Sequence, residues 1–258
     1  MVDYATVDDI AFRLGLLTLD MYLYGLSGMF TAGETITGST SGATAVVHSY
    51  DSTNSKLKII WSTGKFQKGE TITGSTSGAT AKISFAESTL IQDMIAAAQS
   101  LVDEYCQTKF GDSSNAAIDY IDPYDDQEDI WLSKSPVTAI SSIEFKGTSL
   151  GNEDTDYWVY EDIGMVKVKS GKIYADDPKA LKVVYTWGNA TVPAGVKQGV
   201  VEMTVSMYED YKRFVNLGGA TSMGMADFNV KFVRRAVLTE DLIPMLQQYR
   251  RRRITAAV

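Results

Sequence analysis

Thirteen consecutive residues of this chain occur twice. GETITGSTSGATA runs from Gly33 to Ala45 and again from Gly69 to Ala81, a period of 36 residues. Phe30 and Phe66 precede the two copies at the same offset, each copy alternates about a Thr-Ile-Thr core, and Val46, Val47 and Ile83 carry the pattern on. Leu57 to Trp61 adds an apolar strand between them, and Gly and Ser supply the turns. The spacing predicts a small all-β repeat module of two similar hairpin units, residues 28–85, inserted into a host domain. Gly/Ser/Thr text of this kind also serves as flexible linker, but a linker has no use for regularly placed Phe, Ile and Trp, so the folded reading is the expectation.

The host is built on two long amphipathic helices. After Pro193, tolerated in a first helical turn because its missing N–H would go unpaired there, apolar residues recur at Val196, Val200, Met203, Met207, Tyr211 and Phe214. A second stripe follows Ser88, the expected N-cap, through Leu90, Ile91, Met94, Ile95, Ala98, Leu101, Val102 and Tyr105. A short helix from Val7 to Leu17 leads the chain, with Asp8 and Asp9 at the positive end of its dipole. Short apolar runs at Ile130–Leu132, Ile140–Phe145, Tyr157–Tyr160, Met165–Val168 and Leu181–Trp187 predict one antiparallel sheet with a single buried face. A loose Gly/Met-rich stretch, Gly218 to Met225, precedes an apolar patch at Phe228–Val233. A last helix is expected from Thr239 through Leu242, Ile243, Leu246 and Tyr249 into Arg250, Arg251, Arg252 and Arg253. The fold class expected is α+β: a helical domain of long amphipathic helices with a small antiparallel sheet, plus the inserted β module. The domains expected are residues 1–27 with 86–225, then 28–85, then a tail of 226–258.

Charge narrows the function classes. The net charge of −8 argues against a nucleic-acid binder that works through a positive surface. Residues 226–258 nevertheless hold seven basic side chains against three acidic ones, +4 on a chain whose remainder is −12. Surfaces of opposite sign favour head-to-tail association with further copies or a complementary partner. No run approaches the length of a membrane span and no secretory leader is evident, so a soluble protein made in the cytoplasm is expected, without membrane contact. Cys106 is the only cysteine, lies within a helical stripe, and reads as a small apolar filler.

No catalytic constellation assembles, and no cofactor or metal is expected. His48 is the only histidine and falls in the repeat module, where a surface or strand-edge residue is expected. The acidic run Asp112–Asp129 holds Asp122, Asp125, Asp126, Glu128 and Asp129 without the Gly and Glu positions of an EF-hand. A solvated loop or the wall of a negatively charged pore is the expectation. Gly219 to Gly224 has phosphate-loop spacing, but Met225 stands where lysine is required and a helix precedes where a strand is required. The arginines of the tail, set beside Leu242, Ile243, Leu246 and Tyr249, point to docking on an acidic protein.

Taken in order, LIQDMIAAAQSLVDEYCQTKF (Leu90–Phe110), the acidic segment, Pro136-Val137 with Ile140, Ile143 and Phe145, VVYTWG (Val183–Gly188), VPAGVKQGVVEMTVSMYEDYKR (Val192–Arg213) and LIPMLQQYRRRR (Leu242–Arg253) resemble the head-to-tail connector proteins of tailed bacteriophages. These are also called adaptor or head-completion proteins. The resemblance implies a non-enzymatic virion protein of the neck: a ring, commonly of twelve copies, under the portal at the capsid vertex, extending the DNA channel toward tail or tail-completion proteins. It implies that Leu242 to Arg253 face the portal. The acidic residues Asp122, Asp125, Asp126, Glu128 and Asp129 would then face a channel through which DNA slides without sequence-specific binding. The inserted module departs from the family pattern. A carbohydrate or cell-surface binding protein, with Phe30, Trp61 and Phe66 stacking on sugars, is the alternative.

Overall fold

The computed structural model describes residues 3–124, 126–173, 178–216, 222–225, 228–231 and 242–250. The architecture is mixed α+β, and the chain divides into two compact units. One comprises Ala5–Gln99 and Gln198–Thr239; the other comprises Met1–Tyr4, Ser100–Lys197 and Glu240–Val258.

The first unit opens with α1 (Val7–Leu14), capped by reciprocal bonds between Thr6 and Asp9 and closed by Gly15 at φ +67°. The glycine ends the helix three residues before the expected Leu17, because its left-handed conformation returns the chain to the Ala11 and Phe12 carbonyls. Six strands follow: β1 (Leu19–Ser27), β2 (Thr35–Gly38), β3 (Thr44–Asp51), β4 (Lys56–Thr63), β5 (Thr71–Gly74) and β6 (Thr80–Ala86). They close into an antiparallel barrel in the order β1-β4-β3-β2-β5-β6. The expected module opened at Gly28, whereas the barrel takes its first strand from Leu19–Ser27.

A shift of 36 residues carries β1, β2 and β3 onto β4, β5 and β6. The register shows what relates them. β1 pairs with β4 about Met21↔Leu57, and β2 pairs with β5 about Thr37↔Thr73. Both are antiparallel pairings of residues one period apart, so a local two-fold axis passes through them. The remaining ladders obey it: Ile36↔Ala45 recurs as Ile72↔Ala81, and Leu23↔Ile83 recurs as Ile59↔Val47. The interior is filled by matched pairs, Met21 with Leu57, Phe30 with Phe66, Ile36 with Ile72, all buried. Each such side chain is worth about 2 kcal/mol of transfer free energy. Phe30 and Phe66 are therefore core residues and do not present rings to a sugar, as the alternative reading required.

Strand β6 runs directly into α2 (Glu87–Cys106). Ser88 thus sits inside the first turn and is not the cap. The expected stripe holds, with Ile91, Ile95, Ala98 and Val102 buried. In α3 (Ala194–Asn216) Val196, Val200 and Met203 are buried as expected, but Phe214 is 46% exposed while Val201, Val205 and Tyr208 are buried. The expected stripe averages 3.6 residues a step and keeps to one face; Phe214 falls in the last turn, beyond Tyr208, the last buried residue of the helix.

In the second unit the strands are β7 (Asn115–Ile121), β8 (Asp129–Trp131), β9 (Val137–Phe145), β10 (Thr148–Ser149), β11 (Tyr157–Tyr160), β12 (Met165–Val168) and β13 (Leu181–Trp187). They form two antiparallel sheets, β10-β9-β13-β7 and β11-β12-β8, where one was expected. Both edges of β13 are occupied, by β9 and β7, so the shorter strands have no place beside it and pair among themselves. One face of each sheet feeds a common core: Leu181, Val183 and Tyr185 from β13, Ile143 and Phe145 from β9, Ile130 from β8, Val166 from β12. Strand β7 occupies part of the expected acidic loop. Its inward position Asp119 is polar, bonded to Tyr185 Oη at 2.9 Å and to Ser133, which defeats the alternation by which a strand is recognised.

Two short elements complete the description. A hairpin of β14 (Ser222–Met225) and β15 (Phe228–Lys231) falls in the stretch expected to be loose and its apolar sequel. The last helix is α4 (Leu242–Gln247). Its expected start at Thr239, and Arg251, Arg252 and Arg253 at the end of the tail, lie outside the described residues, as does Asp125.

The barrel's tightest backbone positions are Gly38 and Gly74, where a Cβ would lie 2.6–2.8 Å from a neighbouring glutamate carboxylate and serine hydroxyl. Those groups are held by several hydrogen bonds and cannot swing away. Gly74→Ala should therefore cost about 1–3 kcal/mol. Denaturant unfolding read by hydrogen exchange of barrel peptides checks this, with Thr73→Ala on an exposed position of the same strand as the neutral comparison.

Candidate functional site

The polar chemistry of the barrel sits in its turns. Glu34, from the first copy of the repeat, is buried and accepts hydrogen bonds from the second copy: Thr76 N at 3.1 Å, Ser77 N at 2.9 Å and Ser77 Oγ at 2.8 Å. Glu70, from the second copy, accepts the equivalent bonds from the first: Thr40 N at 3.2 Å, Ser41 N at 3.0 Å and Ser41 Oγ at 2.9 Å. Each carboxylate also takes a local backbone N–H at 2.5 Å, from Thr31 and Gln67 respectively. The two copies thus cap one another. Burial by itself raises a carboxyl pKa, yet these N–H and hydroxyl donors outweigh it and hold both groups below the ordinary glutamate value of 4.5.

A second buried carboxylate opens α2. Glu87 accepts from Asp20 N at 2.9 Å, from Tyr208 Oη, and from Lys212 Nζ at 2.7 Å. Burial opposes its charge, but the ammonium and the hydroxyl keep its pKa low, and the position at a helix N-terminus favours a negative group. The arrangement ties the start of α2 to α3 and to β1. It contains no nucleophile poised beside a base.

The C-terminal segment belongs to the sheet-bearing unit. Leu242 and Leu246 are buried, so these two of the four apolar residues expected to meet a portal are spent on their own chain. Tyr249 packs edge-on against Phe110 at 6.2 Å, and its hydroxyl approaches Gly195 so closely that a Cβ there would be 2.9 Å away. Arg250 lies over the Tyr105 ring at 5.3 Å. Ile243 and Arg250 remain exposed. The buried Cys106 thiol lies beside this segment, and burial pushes its pKa up to about 12, which makes it an inert filler.

The acidic residues expected to line a channel lie on loops and at a strand end. Asp122 accepts from Lys179 N at 2.6 Å; Asp126 accepts from Gly171 N at 2.7 Å and Ser170 Oγ at 3.1 Å; Glu128 lies 3.5 Å from Lys167 Nζ. Asp122, Asp126 and Asp129 are exposed and Glu128 is half-buried. His48 is exposed on β3. Among the described residues no group of three or more His, Cys, Asp or Glu side chains could hold a metal ion, and no helix is long and apolar enough to cross a membrane. An open cleft of about 470 Å³ is lined by Leu14, Leu16, Tyr208, Glu209, Lys212 and Arg213, without the convergence of base and nucleophile that chemistry needs. The reciprocal glutamate caps were missed by sequence reasoning. The signal available was the Glu in each otherwise uncharged copy.

These features define a structural component whose buried ionisable groups hold elements together. Residues 67–252 match the model of the family described as head completion protein, and the chain belongs to that family. The family is structural and not enzymatic. The match begins just before β5, so it takes in the end of the barrel and all of the sheet-bearing core. No curated protein matches the chain. Among solved structures, a chain from the neck of an empty GTA particle computed with C6 symmetry overlaps 67% of this chain and 84% of its own, at 13% identity and a TM-score of 0.43. A chain from the virion of a native gene transfer agent overlaps 67% and 82%, at 12% identity and a TM-score of 0.41. A chain from the neck of the native particle computed with C12 symmetry overlaps 65% and 85%, at 10% identity and a TM-score of 0.40. The family assignment rests on the match of residues 67–252.

Two outcomes follow from this geometry. Because the folded-state pKa values of Glu34 and Glu70 are depressed, the stability they contribute is present above pH 4.5 and is lost as pH falls through their folded values. Barrel peptides should lose hydrogen-exchange protection on acidification below that pH. The paired change of Glu34 and Glu70 to Gln should flatten that dependence, at a cost of about 1–3 kcal/mol per site at neutral pH. Separately, Leu246→Ala should destabilise the sheet-bearing unit by about 2–4 kcal/mol, read as a shift in its denaturation midpoint, because the side chain is fully buried.

Proposed function

We propose that the chain is a head-to-tail adaptor of a phage-like virion: copies form a ring beneath the portal, continue the DNA channel and join capsid to tail. Family membership across residues 67–252 carries this reading. Charge supports it, since the chain is −8 overall and a channel wall of like sign lets DNA pass without binding phosphate. Asp122 and Asp126, exposed on loops, and Asp129, exposed at the start of β8, are the residues proposed to face that channel, with Glu128 and, from the sequence, Asp125. The portal-facing surface is proposed at the end of the tail, where Ile243 and Arg250 are exposed and Arg251 to Arg253 follow in sequence. Leu242, Leu246 and Tyr249 then serve to seat that surface. The barrel, residues 19–86, is the proposed peripheral module.

Purified protein, alone and with its portal, tests this by mass measurement and electron microscopy. A closed oligomer that joins the portal is expected. A strict monomer that never joins it overturns the reading. Replacing Arg250 to Arg253 by serine leaves the buried Leu242 and Leu246 in place, so the fold should melt within about 2 °C of the parent while portal affinity falls at least tenfold, on the order of 1.4 kcal/mol. Unchanged affinity would move the contact elsewhere.

A further inference from the structure

The two halves of the barrel are a built-in control for one another. Across the local two-fold the buried positions match in kind, but the outward positions do not. Tyr22, Leu26 and Met29 are 40%, 38% and 68% exposed, and a shift of 36 residues finds Lys58, Ser62 and Lys65 in their places. Phe85 corresponds to Ser49. Both halves keep the same ladder register, so strand pairing does not need these apolar side chains on the outside. They are also contiguous. On β1, Tyr22 lies opposite Lys56 of β4 and Phe85 of β6, its ring 6.1 Å from that of Phe85 and 5.3 Å from Lys56 Nζ, and Tyr24 lies opposite Lys82. The result is an exposed aromatic patch flanked by the exposed Lys58 and Lys82, with Lys56 paired to Asp20 at 2.5 Å, on a chain that is otherwise acidic. Patches of this kind mark interaction surfaces.

The sheet-bearing unit carries a patch of the opposite character. In the sheet β11-β12-β8, Met165 pairs with Trp131 on one side and Tyr160 on the other, and Lys167 pairs with Asp129 and Trp158. Trp131, Trp158 and Tyr160 are 37%, 41% and 47% exposed. Residues 153–168, which build β11 and β12 and the turn between them, contain five carboxylates and one lysine, Asp156 being paired with Lys172 at 2.7 Å. Both patches offer aromatic anchors, and their rims are opposite in sign.

We infer that the lysine-flanked aromatic patch on β1 and β6 docks on the aromatic face of β11 and β12, beside the carboxylates of residues 153–162, of a second copy of this chain. The inference rests on the ring reading above, because a cyclic assembly needs two different, mutually complementary surfaces on each copy. Buried aromatics supply the anchor of such a contact, and rim charges set its partner and register.

The test uses the full-length protein. Leu26→Ser with Phe85→Ser installs the residues that the other half of the barrel already carries at the equivalent positions, so folding is preserved by precedent within the chain. Trp158→Ser with Tyr160→Ser alters the opposing surface, and Thr37→Ala, exposed on β2 across the closed barrel from β1, is the control. Mass photometry and sedimentation velocity should show an oligomer for wild type and Thr37→Ala. Both double variants should associate at least tenfold more weakly, with melting temperatures within about 2 °C of wild type. In mixed ¹⁴N and ¹⁵N chains, zero-length cross-linking should join Lys82 to a carboxylate of residues 153–162 on a different copy. Double variants that assemble as wild type does, or intermolecular cross-links that avoid this sheet, overturn the contact and leave the ring reading standing. A wild type that stays monomeric with and without portal overturns both.

Discussion

The antiparallel pairing of two identical strands is the constraint from which the barrel follows. Once Thr37 lies opposite Thr73, each residue of one TITG segment faces the partner that symmetry assigns to it, and the turn after each strand is brought to the glutamate that precedes the other. The buried Glu34 and Glu70 carboxylates are then satisfied by backbone N–H groups of those turns. Neither half can complete its own turn. The glycines at 38 and 74 are fixed by the same contact, because the carboxylate and serine hydroxyl occupy the space of a side chain. A segment whose composition reads as flexible is in this way among the most determined parts of the molecule.

Charged groups elsewhere in the molecule are also used to hold rather than to react. Glu87 is saturated by an amide, a phenol and an ammonium; Asp119 braces the hydroxyl of Tyr185 from the edge strand β7; the Cys106 thiol is sealed under α4. A protein whose ionisable side chains are committed in this manner has little left with which to do acid–base chemistry. That agrees with membership of a structural, non-enzymatic family. The division of charge agrees with it: most of the surplus negative charge lies in the sheet-bearing unit, and the barrel's strand segments are close to neutral.

What could be read from the sequence followed the strength of its periodicity. Helices α2 and α3 were legible from their 3.6-residue period, and strands β11, β12 and β13 from short apolar runs bounded by turn residues. The family resemblance was legible from the order of those same segments. Strand β7 was not, since Asp119 takes the inward place that an apolar residue normally marks. The separation into two sheets was hidden because pairing partners depend on which edges are already filled, a property of the assembled sheet and not of any one strand. The repeat announced two similar units but gave no sign that Leu19–Ser27, which shares no text with Lys56–Thr63, is its structural twin; only the register shows it. In the tail the apolar spacing was read correctly and its use was not. Leu242 and Leu246 look the same in sequence whether they face a neighbour or their own core, and here they face their own core.

The exchange of caps between the halves bears on how such a chain can change over time. A deletion of one 36-residue period would remove three strands yet leave, in the remainder, every ladder edge and one glutamate with its matching serine turn. That remainder could not fold back to satisfy itself. It could rebuild the whole closed barrel only by taking its missing half from another molecule, so the loss of a period would turn an intramolecular fold into an obligatory pairing of chains.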